Sequence, residues 1–195
     1  MIGKMAWFEM LLISISLSAC VTEDVKPLFD MEAKRVAVIP FYDRPLNEWP
    51  SEESVAISRM VALNIRAENI DDIEVLLPRV VEQFFDERDI KKMTIQQIGE
   101  SLGVQYVIHG EIIKFDTKGE ILGLAMGLFR GLIRVHDVAK DLTVFERDRT
   151  IEYPPVPVMG IPDHRIRSEL LKLIGSRIGR MFYHHEPVEE GVSLQ

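Results

Sequence analysis

The sequence predicts a single α/β domain, a mixed β-sheet of about five strands with helices packed on it. Two observations support this prediction. Between residues 35 and 103, strand patterns and helix patterns alternate, which is the order that produces sheets covered by helices. Between residues 104 and 151, three strand patterns follow one another without a helix, which is typical of a meander. A final helical pattern closes a chain of 195 residues, a length that suits one domain.

The first elements are predicted from local signals. Residues 35–40 form a nearly continuous β-branched run that ends in proline, which predicts a strand buried on both faces. Ser51 precedes two glutamates, a typical helix start, and apolar residues then recur at helical spacing to about Ala67. Residues 73–77 predict a second short strand, and Pro78 suits the first position of the next helix.

A short helix with clear boundaries precedes the meander. Thr94 and Gln97 have the spacing of a capping box, and Gly103 is typical of the residue that follows a helix end. Three consecutive strands are then predicted, at residues 104–115, within residues 121–138 and at residues 142–151.

The last part of the chain is predicted as a turn, an extended loop and a long helix. Lys140 and Asp141 form the turn before the fifth strand, and residues 153–162 contain the four prolines that predict the loop. Asp163 is placed to cap the final helix. The apolar residues of this helix share one stripe, formed by Ile166, Leu170, Ile174, Ile178 and Met181.

The charge of the chain restricts its partners. Acidic residues outnumber basic residues by 31 to 23, which gives a formal net charge of −8 at neutral pH. Nucleic acids are bound by clustered lysine and arginine, so we expect no nucleic-acid partner. The same acidic balance disfavours broad adhesion to anionic lipid headgroups, so membrane contact is expected to come from a covalently attached lipid.

The only cysteine, Cys20, follows a short apolar run and the residues Leu-Ser-Ala, as in a bacterial lipoprotein signal. The alternative interpretation is a chance cysteine behind an apolar segment. We predict a signal peptide at residues 1–19, a lipidated, palmitate-bearing amino terminus with a tether at residues 20–33, a periplasmic domain at residues 34–183 and a flexible tail at residues 184–195. With Cys20 acylated, no thiol is left for a disulfide, so core packing alone must hold the domain.

One apolar segment, residues 121–129, is a candidate contact surface. We favour a buried strand or hairpin for it, and the alternative is an exposed loop that touches the membrane or a partner, with Met126 and Phe129 as anchors. Its candidate contact residues are Leu122, Leu124, Met126, Leu128 and Phe129. The proline-rich residues 154–162 are a second candidate contact surface.

The chemical motifs of the chain are sparse. His184 and His185 are adjacent and have no third ligand at a suitable spacing, so we favour solvated tail histidines over a metal site. The sequence carries no nucleophile elbow, phosphate-binding loop, dinucleotide fingerprint or His-Glu-x-x-His motif. We therefore expect no catalytic residue, no cofactor and no metal.

Two residue pairs allow a functional and a structural interpretation. Asp43 and Arg44 follow the first strand, where α/β domains often bind ligands, although a plain loop ion pair is favoured. Gly175 and Gly179 lie one helical turn apart on the last helix and permit close packing, more often against a sheet than in a dimer.

Three motifs carry a resemblance to a known family. They are residues 35–41 (RVAVIPF), residues 98–111 (IGESLGVQYVIHGE) and residues 134–138 (RVHDV) ahead of the Lys140–Asp141 turn. In this order, behind a lipoprotein signal, the chain resembles the envelope lipoproteins related to the curli secretion protein CsgG, the amino-terminal domain of TolB, PelC and LpoB. The resemblance covers about residues 33–182. It implies a small α/β domain tethered to the outer membrane, facing the periplasm, without shared catalytic residues; Val21 is compatible with that sorting.

The resemblance implies a non-catalytic, outer-membrane-anchored accessory of assembly, secretion or polysaccharide export, which works by self-association and partner docking. The alternative hypothesis is a monomeric binding module that activates an inner-membrane cell-wall synthase. Residues 21–33 would span at most about 45 Å when fully extended, which disfavours that alternative. A periplasmic enzyme is the third hypothesis, and no motif supports it.

Overall fold

A mixed sheet forms the centre of the structure, a computed structural model that describes residues 25–68, 71–121, 124–158 and 161–185. The strands are β1 (Arg35–Val38), β2 (Tyr42–Asp43), β3 (Glu74–Val75), β4 (Tyr106–Ile121), β5 (Leu124–Asp137) and β6 (Leu142–Val158). Their order is β3-β1-β4-β5-β6, and β2 also pairs with β4, beyond the end of β1. The pairings of β1, β2 and β3 are parallel, and β4, β5 and β6 form an antiparallel meander. The predicted mixed α/β sheet is confirmed, with six strands.

Helices cover both faces of this sheet. They are α1 (Glu52–Glu68), α2 (Pro78–Glu87), α3 (Ile95–Leu102) and α4 (Asp163–Gly179), with a 3-10 turn at Ile90–Lys92. One core cluster joins α1 and α4 to the sheet, and a second joins α2 and α3 to its other face. Val36 and Val38 belong to the first cluster and Ala37 to the second, which confirms that β1 is buried on both faces.

The local signals at the other helix boundaries are confirmed, but Asp163 does not cap α4, because it is the first residue of that helix and the capping position is taken by Pro162, which has no side-chain acceptor. Ser51 Oγ accepts a hydrogen bond from the backbone N–H of Ser54 at 3.2 Å, which caps α1. Thr94 Oγ1 accepts from the N–H of Gln97, whose side chain accepts from the N–H of Thr94, so the predicted capping box is present. Gly103 ends α3 with φ of 65°, a left-handed conformation that glycine adopts without steric cost.

Helices α1 and α4 approach each other closely at the two glycines of α4. A Cβ atom on Gly175 would lie 2.7 Å from the backbone oxygen of Met60, and a Cβ atom on Gly179 would overlap the side chain of Asn64. Asn64 Oδ1 in turn accepts a hydrogen bond from Tyr183 Oη at 2.8 Å. The small-residue pair therefore packs on a helix, α1, rather than on the sheet.

Strand β6 is longer than the sequence predicts. Instead of an extended loop from residue 153, the chain continues as a strand to Val158. Tyr153 pairs with Gly127 and Val158 pairs with Ala125, so four residues of β6 face a single residue of β5. Three of the four are prolines, which lack the N–H that a ladder hydrogen bond needs, and the irregularity leaves them outside the ladder.

The two ends of the described chain meet. Val25 and His185 form an isolated antiparallel bridge, and the N–H groups of Leu28 and Phe29 donate to the backbone oxygen of Met181. Met31 is fully buried in the core cluster under α1 and α4. The sequence predicts a tether that reaches residue 33, whereas the structure docks residues 25–33 on the domain, because Phe29 and Met31 find apolar partners there.

The helices considered are those of the described residues, α1 to α4 and the 3-10 turn. None of these helices is both long enough and apolar enough to cross a bilayer.

Candidate functional site

The candidate contact surface lies in the hairpin between β4 and β5. Strand β4 ends at Ile121 and β5 begins at Leu124, and Gly119 pairs with Met126, which confirms the favoured interpretation of this segment as a hairpin. Leu122, like Cys20, lies outside the described residues. Of the described side chains, Met126 and Leu128 are half-buried.

Phe129 does not belong to this candidate contact surface. Its side chain is fully buried in the core cluster beneath α1 and α4. Along β5 the side chains alternate between the two faces, and Phe129 falls on the face that the core occupies. The expectation that Phe129 anchors an exposed loop is therefore wrong, and its position explains why the apolar run contains a large aromatic residue.

A groove lies beside the end of β1, on the face of the sheet that carries α2 and α3. Its volume is about 250 Å³. It is lined by Pro40, Tyr42, Trp49, Ile95, His109, Gly110, Glu111 and Arg134. Trp49 Nε1 donates to the backbone oxygen of Pro40 at 2.6 Å, and its ring packs edge-on against Phe85 at a centroid distance of 5.5 Å. The indole is thus held in one orientation as an apolar wall.

The polar side of the groove is a chain of alternating charges across three strands. Arg134 Nη1 donates to Glu111 Oε1 at 2.7 Å, and Arg134 Nε donates to Glu146 Oε2 at 2.6 Å. Arg44 Nη2 lies 3.5 Å from the other oxygen of Glu111. The hydrogen bond from Arg134 lowers the pKa of Glu111, so this carboxyl is ionised at neutral pH. Two arginines thus balance two glutamates, and the groove favours a neutral or zwitterionic occupant.

Two histidines lie next to each other on this face. The ring centroids of His109 and His136 are 6.4 Å apart, and the Nε2 atom of each is buried without a hydrogen-bond partner. His136 Nε2 is 3.2 Å from Asp141 Oδ1 but forms no hydrogen bond with it. Burial, followed by the charge of Arg134, lowers the pKa of His109 from 6.5 to about 4. His109 is therefore neutral at neutral pH and offers one donor and one acceptor nitrogen.

No sequence motif predicts this groove, although the alternation of residues along its strands is visible in the sequence. Alternation along a strand places His109 and Glu111 on one face, and likewise Arg134 and His136. Only the register, in which His109 pairs with Arg134, brings the two sets together.

The tail histidines contact other residues, contrary to the expectation that they are solvated. His184 Nδ1 lies 2.9 Å from Asp71 Oδ1, and the backbone N–H of His184 donates to Asp71 Oδ2 at 2.6 Å. His185 is held by its bridge to Val25. Across the described ranges, no three His, Cys, Asp or Glu side chains come close enough to hold a metal ion. These histidines therefore fasten the end of the described chain to the loop at Asp71.

Replacement of Asp71 by alanine is expected to lower the free energy of unfolding by about 1–3 kcal/mol, because both groups of His184 lose their acceptor. Chemical denaturation in urea measures this loss. Asp86→Ala removes a carboxylate from the exposed face of α2 and serves as the control. Equal stability of the two variants would show that the Asp71 contact contributes nothing.

The pair Asp43 and Arg44 is not a loop ion pair. Asp43 is buried, and its carboxylate accepts hydrogen bonds from Ser51 Oγ at 2.8 Å and from the N–H of Leu46 at 3.2 Å. Asp43 therefore fixes the loop that leads into α1, while Arg44 reaches Glu111.

Three solved structures share this fold. A single-substitution variant of PelC from Paraburkholderia phytofirmans, solved as a dodecamer, matches with a TM-score of 0.50 and 12% identity, over 81% of this chain and 96% of that chain. Lipoprotein GNA1162 from Neisseria meningitidis matches with a TM-score of 0.50 and 14% identity, over 74% and 96%. Protein XCC0632 from Xanthomonas campestris, assigned to DUF330, matches with a TM-score of 0.52 and 8% identity, over 80% and 86%.

Neither a protein-family model nor a curated protein matches the sequence. At the identities of the solved structures, the likeness is one of fold. The fold implied by the resemblance to PelC and its relatives is therefore confirmed.

Proposed function

We propose that this chain is a lipid-anchored protein of the bacterial outer membrane that faces the periplasm and acts without catalysis. Its role would be that of an accessory in assembly, secretion or polysaccharide export. One observation carries the proposal: a chain with a lipoprotein signal at Cys20 has the fold of a lipoprotein and of a protein that forms a dodecamer.

The proposed mechanism is positional. Two or three acyl chains at Cys20 would hold the domain at the membrane, since a single chain gives only reversible binding. Copies confined to one membrane have a high effective concentration, so weak contacts between them or with a partner become sufficient for assembly.

Three surfaces are available for such contacts. The first is the end of the β4–β5 hairpin, near Met126 and Leu128, and the sequence alone adds Leu122 and Leu124 to this candidate surface. The second is the proline-containing irregularity between Tyr153 and Val158 at the free edge of the sheet. The third is the groove at His109, whose aromatic wall and paired charges suit a side chain or a short segment of a partner.

The docked segment at residues 25–33 bears on the alternative hypothesis, a monomer that crosses the periplasm to a cell-wall synthase. Only the residues from Cys20 to Val25 remain as a tether, and five residue steps span at most about 18 Å. The domain therefore stays close to the membrane that holds its lipid, which favours contact with membrane-proximal partners.

Replacement of Cys20 by serine is expected to abolish the incorporation of radiolabelled palmitate. The serine hydroxyl cannot take the place of the thiol that receives the lipid. Metabolic labelling of cells that express the wild-type protein or the variant measures the effect. A wild-type protein that incorporates no palmitate, or a Cys20→Ser protein that still incorporates it, would contradict the lipoprotein assignment.

The self-association part of the proposal is tested on the acylated wild-type protein. Light scattering of the purified acylated protein in detergent, over a concentration series, gives the mass of the protein part of each particle. A discrete oligomer supports a ring or scaffold component. A monomer at every concentration would contradict self-association and leave docking on a partner as the mode of action.

A further inference from the structure

The docked amino-terminal segment fixes which end of the domain lies next to the lipid. The ring of Phe29 packs edge-on against Tyr106 at 5.6 Å and lies tilted against Phe145 at 5.7 Å. Tyr106 is the first residue of β4, and it pairs with Asp137, the last residue of β5. The segment from Val25 therefore crosses the end of the sheet at which β4 begins, which we call the anchor end.

Three exposed apolar side chains lie at this anchor end. In the described part of the chain, seven large apolar side chains are exposed, and three of them lie here: Leu28 (53%), Leu142 (56%) and Val25 (41%). Leu142 begins β6 and pairs with Asp137, which itself pairs with Tyr106, so Leu142 lies at the same end of the sheet as Tyr106, two strands away. Leu28 adjoins Phe29 in the chain. These three side chains thus share one end of the molecule, although they are far apart in sequence.

The charges at the anchor end are mixed. Lys26 and Lys140 are exposed there, and so are Asp30 and Asp141. Lys140 is further paired with Asp137 at 2.7 Å. Because basic and acidic groups balance, attraction to anionic headgroups cannot carry a contact at this end, and the apolar side chains would have to do so.

The hairpin lies at the opposite end of the sheet. Strand β4 runs for 16 residues from Tyr106 to Ile121, and at about 3.3 Å per residue it spans roughly 50 Å. The tether between Cys20 and Val25 reaches at most about 18 Å. An upright domain therefore cannot bring the hairpin to the membrane that holds its own lipid.

We propose that the anchor end rests on the membrane, with Val25, Leu28 and Leu142 inserted at the headgroup level as a second contact beside the lipid. This inference rests on the lipid anchor proposed for Cys20. It stands the sheet upright on the bilayer and directs the β4–β5 hairpin into the periplasm. In this orientation the anchor end contacts the lipid surface, and the hairpin can contact a partner protein.

The test measures the height of two sites above the bilayer. Because Cys20 is acylated, a cysteine introduced elsewhere is the only free thiol to label. Lys140→Cys lies at the anchor end and Lys118→Cys lies near the hairpin, and both replace an exposed lysine. Each acylated variant carries a fluorescent donor and is reconstituted into vesicles of phosphatidylethanolamine and phosphatidylglycerol that contain an acceptor lipid. Energy transfer is expected to be several-fold more efficient from position 140, given the length of β4.

Equal transfer from both positions, or stronger transfer from position 118, would overturn the inference. A further pair of variants tests the apolar contact itself. Leu28→Asp with Leu142→Asp is expected to remove the difference between the two labels while the protein stays on the vesicles. The matched control, Leu46→Asp with Leu63→Asp, changes two exposed leucines elsewhere and is expected to keep the difference. An unchanged difference in the first pair would overturn the role of these leucines.

The same experiment separates this inference from the proposed function. If neither labelled protein floats with the vesicles and neither incorporates palmitate, the lipid anchor itself is wrong. If both proteins float and the transfer efficiencies are equal, the anchor stands and the upright orientation is wrong.

Discussion

Replacement of Gly110 by alanine is expected to lower the free energy of unfolding by about 3 kcal/mol or more. A Cβ atom at this position would overlap the backbone oxygen of Leu132 and would lie 3.2 Å from Cε2 of Phe41. Leu132 belongs to β5 and pairs with Glu111, so its carbonyl is held in the centre of the meander and cannot shift alone. The clash must then be relieved by distorting the β4–β5 ladder.

Urea denaturation followed by circular dichroism measures the loss at Gly110. Lys114→Ala, on the same strand and exposed, is the control for the general effect of alanine in β4. A Gly110→Ala protein as stable as the Lys114→Ala protein would show that β5 adapts to the added methyl group. The presence of glycine at position 110, within the motif at residues 98–111, would then need another explanation.

Acidification from pH 6.5 to pH 4 is expected to cost about 3 kcal/mol of stability through His109 alone. Burial, together with the charge of Arg134, lowers the pKa of His109 from 6.5 to about 4 in the folded protein. Between these pH values the unfolded chain binds a proton at this residue and the folded chain does not. The unfolded state is therefore favoured as the pH falls, and the stability that His109 contributes is fully present only above pH 6.5.

His109→Gln, which cannot be protonated, is expected to flatten the dependence of unfolding free energy on pH in this window. Urea denaturation at a series of pH values, in wild type and variant, measures the two slopes. His164→Gln removes an exposed histidine and should keep the wild-type slope. Identical slopes for wild type and His109→Gln would mean that His109 titrates normally in the folded protein.

The parts of the fold that could be predicted are those whose signals are local. The capping box of Thr94 and Gln97, the start of α2 at Pro78 and the end of α3 at Gly103 each depend on a few neighbouring residues, and each is confirmed. The apolar alternation of the strands depends on a period of two, which a single sequence displays. The α/β class and the meander follow from these elements in order.

The parts that could not be predicted depend on contacts between distant residues. Polar composition predicts a tether to residue 33, but Phe29 docks because Tyr106 and Phe145 form its site. The prolines predict a loop from residue 153, but the strand continues because an irregular pairing with β5 leaves the prolines outside the ladder. The groove likewise depends on the register of β4 and β5, which composition does not fix.

The pairing of Val25 with His185 also sets the order in which the fold can be completed. The backbone partners of Val25, Leu28 and Phe29 lie in residues 181–185, so a chain that emerges from its amino terminus must present those residues before the segment from Val25 can dock fully. Contacts of such long sequence separation form late because their loop-closure entropy is the largest. Residues 25–29 therefore stay undocked until the chain is complete through residue 185.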